Sequence, residues 1–267
     1  MGNAFIVVWR ESLEAFLIAG ILYAWLQAND DTGKGKRALF IGLGAGVGLA
    51  ILLGWALLSV QDELTGEALE LFQTAALIVA AGLITQMVLW MRKHGRQMKA
   101  KLHADLAAAR QRAGFMGVAV VAALAVAREG AETVIFLYGM AHEGDLTPLW
   151  FGFLAGISAA GLTAWLAAKS LAKLNIGLLL RLSSILLLVL ASALLITAID
   201  RLIGAGYLPP LLDPVWDTST LIDDTTKGGK LLADFSGYRA RPALSSLLAW
   251  ASYWGVVLFA WRRTGRG

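Results

Sequence analysis

The 267-residue chain is 58% hydrophobic and has a mean hydropathy of +0.66, which excludes an ordinary soluble domain and indicates an integral membrane protein. Its net charge of +4 comes with no base-reading motif, so the charge bears on membrane orientation and not on nucleic acid. The absence of cysteine excludes disulfides and thiolate metal sites, which leaves oxygen and nitrogen donors for any metal chemistry.

Seven apolar stretches are long enough to cross a bilayer, since a spanning helix needs roughly 20 residues. In chain order they are residues 4–27, 38–60, 68–91, 115–140, 148–169, 177–203 and 243–262. The first is expected to remain in the mature protein, because charges interrupt it and no basic residue precedes it, unlike a signal peptide. Glycines in the second and fifth stretches suit close helix contacts in lipid. They are Gly44, Gly46, Gly48, Gly152 and Gly156.

Basic and acidic connectors alternate along the chain. The 28–37 and 92–114 connectors are rich in Lys and Arg, whereas 61–67 and 141–147 contain acids and no Lys or Arg. The positive-inside rule then places the N-terminus outside and the C-terminus in the cytoplasm, as an odd number of crossings requires. We therefore expect a multi-pass protein of the plasma membrane, in contact with membrane lipid. In a bacterium with two membranes, this is the inner membrane.

The long basic connector at 92–114 permits two interpretations. Leu102, Leu106 and Ala109 recur at helical spacing, which fits a cytoplasmic helical arm or an amphipathic surface helix. A solvated loop is the interpretation we favour, because basic residues on this side of the membrane need no further role.

Two charged pentapeptides interrupt the first and fourth stretches: RESLE at residues 10–14 and REGAE at residues 128–132. Each places two glutamates three residues apart, hence on one helix face, directly after an arginine. A charged side chain at the bilayer centre costs about 2.5 kcal/mol or more, so such residues indicate function. The predicted metal ligands are Glu11, Glu14, Glu129 and Glu132, and the supporting residues are Arg10 and Arg128.

Four carboxylates in a dry site repel one another, and a bound multivalent cation removes that repulsion. Oxygen ligands favour hard cations, among them ferric iron, Mn²⁺, Mg²⁺ and Ca²⁺, and ferrous iron also fits. The arginines offset part of the negative charge, which makes an empty site tolerable. A competing interpretation is an Arg–Glu ion pair that only holds two helices together. It accounts for one glutamate in each helix and leaves the second glutamate unexplained. One shared site and two sites along a path remain alternatives.

The recurrence of the pentapeptide indicates an internal repeat of three spans. An odd number of spans forces the copies into opposite orientations, and inverted repeats place substrate sites near the midplane where the copies meet. We predict an all-α, polytopic membrane protein with seven transmembrane helices, built as two inverted three-helix repeats plus a seventh helix. The single membrane domain, 1–267, would divide into repeats at about 1–113 and 114–203, an outer loop at 204–242 and a seventh helix at 243–262.

The chain resembles the oxidase-dependent iron transporter family, the high-affinity iron permeases of fungi and bacteria. Those proteins carry an R-E-G-x-E motif in the first and fourth of seven membrane helices. The likeness covers most of the chain and extends to 87–91, 214–219 and 237–242. Ser12 departs from the motif's first glycine, but serine is small and can bond back to its own helix. By resemblance, the four glutamates bind iron in transit.

The resemblance implies a permease, and not an enzyme, that imports ferric or ferrous iron. Iron is then the transported substrate, and no cofactor is bound permanently. The expected partner is a periplasmic or extracellular iron oxidase or iron-handling protein. Three rival functions are a transporter of another metal, such as lead or manganese, a membrane-embedded metal-dependent enzyme, and a metal sensor that binds without transporting. A carboxylate cluster without a paired nucleophile argues against the enzyme.

Two further acidic groups lie on the outer side. Glu67 and Glu70 repeat the two-carboxylate spacing at the start of the third stretch and form a candidate entrance for cations. Acids at a helix N-terminus also stabilise the helix through its dipole. An entrance for cations and a purely structural role therefore fit the sequence equally well. Asp217, Asp223 and Asp224 in the outer loop could gather metal, but solvated loop acids are the favoured reading.

Overall fold

A computed structural model describes residues 2–30, 33–94, 97–141, 147–169 and 176–264, and these residues form helices and no strand. The predicted outer connector at 141–147 falls almost wholly outside the described residues. The helices are α1 (Gly2–Asn29), α2 (Lys34–Glu63), α3 (Gly66–His94), α4 (Met98–Met140), α5 (Thr147–Ala168), α6 (Ile176–Gly204), α7 (Lys227–Ser236) and α8 (Leu244–Thr264).

Each predicted apolar stretch lies within a helix, except for one residue at the end of the fifth stretch and one at the start of the seventh. This confirms the all-α class. Five segments within these helices are long and apolar enough to cross a membrane. They are Lys34–Glu63, Gly66–Lys93, Leu149–Ala168, Leu178–Gly204 and Leu244–Arg263. Helices α1 and α4, which carry the charged pentapeptides, are not among the five. The exact count of seven crossings and the inverted repeat therefore stay predictions.

The helices are grouped into two compact units. One unit comprises Met1–Glu63, His94–Tyr138 and Glu143–Gly177, and so contains α1, α2, α5 and most of α4. The other comprises Leu64–Lys93, Gly139–His142 and Leu178–Gly267, and contains α3, α6, α7 and α8. Each unit thus combines helices from both predicted repeats. The division of the chain at residues 113 and 114 stays a prediction.

In the first unit, small residues let helix backbones approach closely. A Cβ atom built on Gly156 of α5 would lie 3.0 Å from the Phe5 carbonyl oxygen of α1, and α1 packs along α5. On α2, a Cβ atom at Gly42 would lie 2.3 Å from the Ala119 carbonyl oxygen of α4. Such approaches are typical of helix contacts in membranes, where packing replaces the hydrophobic drive.

The glycines of α2 divide between two faces of the helix. A Cβ atom at Gly46 would lie 2.7 Å from the Ala123 carbonyl oxygen of α4, which confirms its expected role in close packing. Gly44 and Gly48 have no atom within 4 Å of their Cβ positions, so the expectation for them is wrong. Residues two apart point in different directions on a helix, whereas the i, i+4 partner Gly42 lies with Gly46 on the face that contacts α4.

The favoured interpretation of 92–114 as a loop is wrong, because α4 begins at Met98. A kink at Gly114 separates this first part of α4 from the rest of the helix. This segment, Met98–Ala113, is called the arm. Gly114 has φ +59° and ψ −136°, a conformation that glycine adopts without the steric penalty of a Cβ atom. Leu106 is fully buried in a cluster with α1 and α2, so tertiary packing holds the arm helical.

An arginine anchors the arm to the end of α1. Arg110 donates from Nη1 to the Asn29 carbonyl oxygen at 2.5 Å, and its Nη2 lies 3.9 Å from Asp30 Oδ1. Asp30 is itself buried and accepts a hydrogen bond from the Gly35 amide at 2.6 Å, near the start of α2. These contacts join the arm, α1 and α2 at one end of the unit.

Gly46→Ala should destabilise the protein by about 1–3 kcal/mol, because the added methyl forces α2 away from the α4 backbone. Gly44→Ala is the matched control and should be neutral or slightly stabilising, since its Cβ meets open space and alanine favours a helix. Thermal unfolding of the purified protein in one detergent measures both. Equal melting temperatures for the two variants would contradict the α2–α4 contact.

Candidate metal centre

The two charged pentapeptides lie inside α1 and α4, both in the first unit. Spacing of three residues puts Glu11 and Glu14 on one face of α1, and Glu129 and Glu132 on one face of α4. Each helix continues for several turns on either side of its pentapeptide, so the carboxylates are held on regular helical backbone. Rigid helices position a site more accurately than loops do.

Three of the four predicted ligands come together. Carboxylate oxygens of Glu11, Glu14 and Glu129 all lie within 4.8 Å of one another, and the three residues are 1%, 4% and 6% exposed. Oxygens on opposite sides of a hard cation stand about 4–5 Å apart, given metal–oxygen distances of about 2.0–2.6 Å. The cluster therefore has the dimensions of a three-carboxylate cation site that spans α1 and α4.

Arg10 is fully buried beside this cluster. Its Nη1 lies 3.2 Å from Glu11 Oε1 and its Nη2 lies 2.9 Å from Glu14 Oε1, so one guanidinium bridges both α1 carboxylates. A buried carboxylate needs such a partner, because an isolated charge taken out of water is strongly penalised. Arg10 thus allows two glutamates to remain close together in a dry environment.

The second pentapeptide is arranged differently. Arg128 Nε donates to Glu132 Oε1 at 3.0 Å, and the two side chains are 47% and 13% exposed. Glu132 is absent from the three-carboxylate cluster, although it is near enough to Glu11 and Glu14 to repel both carboxylates. The predicted set of four is thus three clustered ligands and one neighbour that is paired with its own arginine.

Three carboxylate oxygens in this region are buried and accept no hydrogen bond from any described protein group: Glu11 Oε2, Glu132 Oε2, and Glu14 Oε1, which is ion-paired with Arg10. A buried acceptor without a partner costs about 1–3 kcal/mol. Lone pairs directed into a buried carboxylate cluster are what a cation would use, so the donor set fits a hard metal ion. The four-to-two ratio of carboxylates to guanidiniums also leaves a negative balance for such an ion.

A close helix contact explains why the second pentapeptide has glycine at position 130. A Cβ atom built there would lie 2.5 Å from Ala50 Cβ of α2, so α2 packs directly against the pentapeptide of α4. The equivalent position in α1 is half-buried Ser12, which is also small. Sequence reasoning treated this position only as a departure from a motif, and it missed the contact because the partner lies about 80 residues away in the chain.

The candidate entrance residues Glu67 and Glu70 are exposed at the start of α3, in the second unit. Glu67 accepts a hydrogen bond from the Tyr207 hydroxyl. That hydrogen bond, with desolvation and the negative charges of Glu67 and Glu70, raises the pKa of Tyr207. Glu67 thus has a local structural partner, and a role of the pair in gathering cations stays a prediction.

The acids of the predicted outer loop are engaged in hydrogen bonds. Asp217 accepts from Ser219 and from Arg241, and Asp224 accepts from the Ala240 amide. Asp223 accepts from the Thr225 amide and hydroxyl, which lowers the pKa of Asp223. These carboxylates order the segment between α6 and α8, so the favoured reading as simply solvated acids was incomplete.

From the sequence, Asp200 at the end of α6 is expected only to anchor the helix at the membrane interface. Its carboxylate accepts hydrogen bonds from Arg239 Nε and from Ser246 Oγ, each at 2.6 Å. Arg239 also donates to Thr197 Oγ1 at 3.0 Å. This network ties α6 to α8 and to the segment before α8. A charged residue near the end of an apolar stretch was the available signal, but its partner lies 39 residues away.

Comparison with known proteins identifies the family of the chain. The model of the iron permease FTR1 family matches residues 1–262. The chain belongs to this family. It is therefore a multi-pass membrane protein of iron transport, and its five long apolar helices agree with that class. The family match includes both pentapeptides and the segment between α6 and α8.

Curated relatives of this family member agree with the assignment. A protein of Escherichia coli O6:H1 (strain CFT073), named ferrous iron permease EfeU, is 29% identical over 253 residues, which cover 93% of this chain and 91% of the relative. A Yersinia pestis protein with the same name is 27% identical over 251 residues, covering 93% of this chain and 89% of the relative. No solved structure matches the chain significantly.

Asp217 should titrate at about pH 2, because hydrogen bonds from the Ser219 hydroxyl and amide, followed by Arg241, lower its pKa from 3.8. Its ionised form therefore stabilises the outer segment above about pH 4, and this contribution is lost as the pH falls through about 2. Ser219→Ala and Arg241→Gln should each raise the midpoint, because each removes a side-chain hydrogen bond that stabilises the ionised carboxylate. Carbon-13 NMR of labelled aspartate carboxyls measures each midpoint, and a wild-type midpoint near pH 4 would contradict the assignment.

Proposed function

We propose that the protein imports ferrous iron through a site formed by Glu11, Glu14 and Glu129, with Glu132 as the adjacent carboxylate. The observation that carries the proposal is the buried cluster of three carboxylates, with oxygens within 4.8 Å, in a member of an iron permease family. The ferrous state is supported by the names of the two relatives. The donor chemistry accepts it, because oxygen ligands bind divalent iron as well as harder ions.

The cluster explains how a doubly charged ion could be stabilised at membrane depth. Metal ligands bind as deprotonated carboxylates, so a bound ion neutralises the repulsion among Glu11, Glu14 and Glu129. Arg10 is ion-paired with two of these carboxylates, Glu11 and Glu14, and competes with the ion for them. This competition weakens binding, which suits a transport site because the ion must also leave.

Apolar side chains pack together on one side of the carboxylate cluster. Ile18, Leu22 and Leu26 follow Glu14 along α1, and they pack with Val118 and Ala122, which precede Glu129 along α4. Leu106 of the arm is buried among these apolar side chains. With the N-terminus outside, as the connector charges predict, this is the cytoplasmic side. We propose that iron is released inward only when these side chains separate.

The proposed location is the plasma membrane, which is the inner membrane in a bacterium with two. The site has oxygen donors and no cysteine, so we propose that a separate oxidase or iron-handling protein on the outside determines the oxidation state of the iron that arrives. Iron is the substrate in this proposal, and no permanently bound cofactor takes part.

Glu11→Gln and Glu129→Gln should each reduce ⁵⁵Fe²⁺ uptake into proteoliposomes at least about tenfold, because each removes an ionised ligand while preserving side-chain volume. Glu63→Gln is the matched control, since Glu63 is an exposed glutamate at the end of α2 and should leave uptake unchanged. Uptake by both cluster variants at the wild-type rate would reject the proposed site.

Transport of another metal, such as manganese or lead, is the principal alternative, because carboxylate oxygens do not by themselves distinguish these ions. We expect excess Fe²⁺ to suppress ⁵⁴Mn²⁺ uptake, and excess Mn²⁺ to suppress ⁵⁵Fe²⁺ uptake weakly. Both are measured in the same proteoliposomes under reducing conditions. Manganese transport that excess iron leaves unaffected would overturn the iron assignment.

A further inference from the structure

We propose that Arg10 determines the valence that the site prefers, as a fixed buried positive charge that matches the carboxylate cluster to a divalent ion. The inference rests on the proposed function, because it concerns the ion held by Glu11, Glu14 and Glu129. It goes beyond that function by assigning a charge-selecting role to one of the two pentapeptide arginines and not to the other.

The charge of the bound site can be counted from its residues. Three ionised carboxylates contribute −3, and Arg10 contributes +1 because an arginine side chain is always protonated in proteins. The sum is −2. The pair formed by Arg128 and Glu132 is neutral and leaves the sum unchanged. A divalent ion therefore makes the buried centre neutral, whereas a trivalent ion leaves an excess positive charge.

Burial makes this balance decisive at Arg10. Its side chain is fully buried, so neither water nor salt screens the guanidinium from an ion at the neighbouring carboxylates. Its two ion pairs, at 3.2 and 2.9 Å, hold the charge against Glu11 and Glu14. A net charge in a low-dielectric interior is costly, so neutrality of the centre favours the ion of matching charge.

Arg128 is the built-in comparison. Its side chain is 47% exposed, so protein atoms leave about half of it open to water, unlike the fully buried Arg10. Water then screens its charge. Arg128 pairs with Glu132, outside the three-carboxylate cluster. The two pentapeptides are thus alike in sequence and unlike in the electrostatic effect of their arginines.

Removal of the Arg10 charge should favour a trivalent ion over a divalent one. The repulsion between a guanidinium and a bound ion is proportional to the charge of the ion, so a trivalent ion gains more when the guanidinium is lost. At an effective dielectric of about 20 and a separation of about 6 Å, one unit of ion charge corresponds to a difference on the order of a hundredfold. Relaxation and water entry reduce it, and we expect a shift of at least about tenfold.

The experiment compares equilibrium binding of ⁵⁵Fe²⁺, kept reduced by ascorbate, with that of citrate-buffered ⁶⁷Ga³⁺, a trivalent ion that is not reduced. The full-length purified protein is used, and the readout is the ratio of the two Kd values. Arg10→Gln should shift this ratio toward Ga³⁺ at least about tenfold, while Arg10→Lys, which keeps the charge, should stay within about threefold of wild type. Arg128→Gln should shift the ratio less than Arg10→Gln does.

A second pair of variants keeps the test decisive where Arg10→Gln alone does not elute as a folded, monodisperse protein. Glu14→Gln and the double variant Arg10→Gln with Glu14→Gln differ only in the Arg10 charge, and the double variant leaves no unpaired guanidinium or Glu14 carboxylate. The double variant should bind Ga³⁺ relative to Fe²⁺ at least about tenfold better than Glu14→Gln does.

Three results would each overturn the inference: an unchanged ratio in the Arg10→Gln or double-variant comparison, an equal shift in Arg10→Lys, or an equal shift in Arg128→Gln. Failure of the proposed function has a different signature. In that case Glu11→Gln and Glu129→Gln would bind Fe²⁺ as tightly as wild type does, whatever the valence ratio. Weakened binding in those two variants with an unchanged ratio at Arg10 would reject only the role of Arg10.

Discussion

The rest of this structure depends on the compensation of buried negative charge at the middle of α1. Glu11 and Glu14 are nearly inaccessible, and the fully buried Arg10 bridges them. Without this guanidinium, two adjacent carboxylates in a dry interior would each face a large desolvation penalty in addition to mutual repulsion. With it, the helix tolerates a negative centre that still has lone pairs to offer. The same interaction thus allows the helix to form and leaves the cluster reactive toward a cation.

Helix packing brings the second set of carboxylates to this centre. Gly42 and Gly46 let α2 approach the backbone of α4, and Gly130 lets the pentapeptide of α4 lie against Ala50. On the other side of the unit, Gly156 of α5 lies against α1. Because small residues replace bulky ones at these contacts, the helices approach closely enough for Glu129 to join Glu11 and Glu14.

The carboxylate cluster has both apolar residues and a partly exposed ion pair near it. Toward one end of the unit, the apolar residues of α1, α2 and α4 pack with Leu106 of the arm, and Arg110 holds the arm to the end of α1. Near the cluster, Arg128 is half exposed and paired with Glu132. In the second unit, the Asp200 network and the loop acids order the segment before α8 independently of the cluster.

The sequence alone predicts the all-α class, the helical stretches and the metal-ligand candidates, because long apolar runs and the charges within them are local properties of the chain. It also indicated the family, since both pentapeptides can be read directly. Tertiary structure decided what depends on distant partners. It placed three glutamates together and Glu132 beside them, and it buried Arg10 while leaving Arg128 half exposed. It also made Met98–Ala113, within the predicted loop, a helix that packs on α1 and α2 through Leu106. Two identical R-E-x-x-E patterns cannot reveal this asymmetry, because burial is a property of the neighbours that each helix meets and not of its own residues.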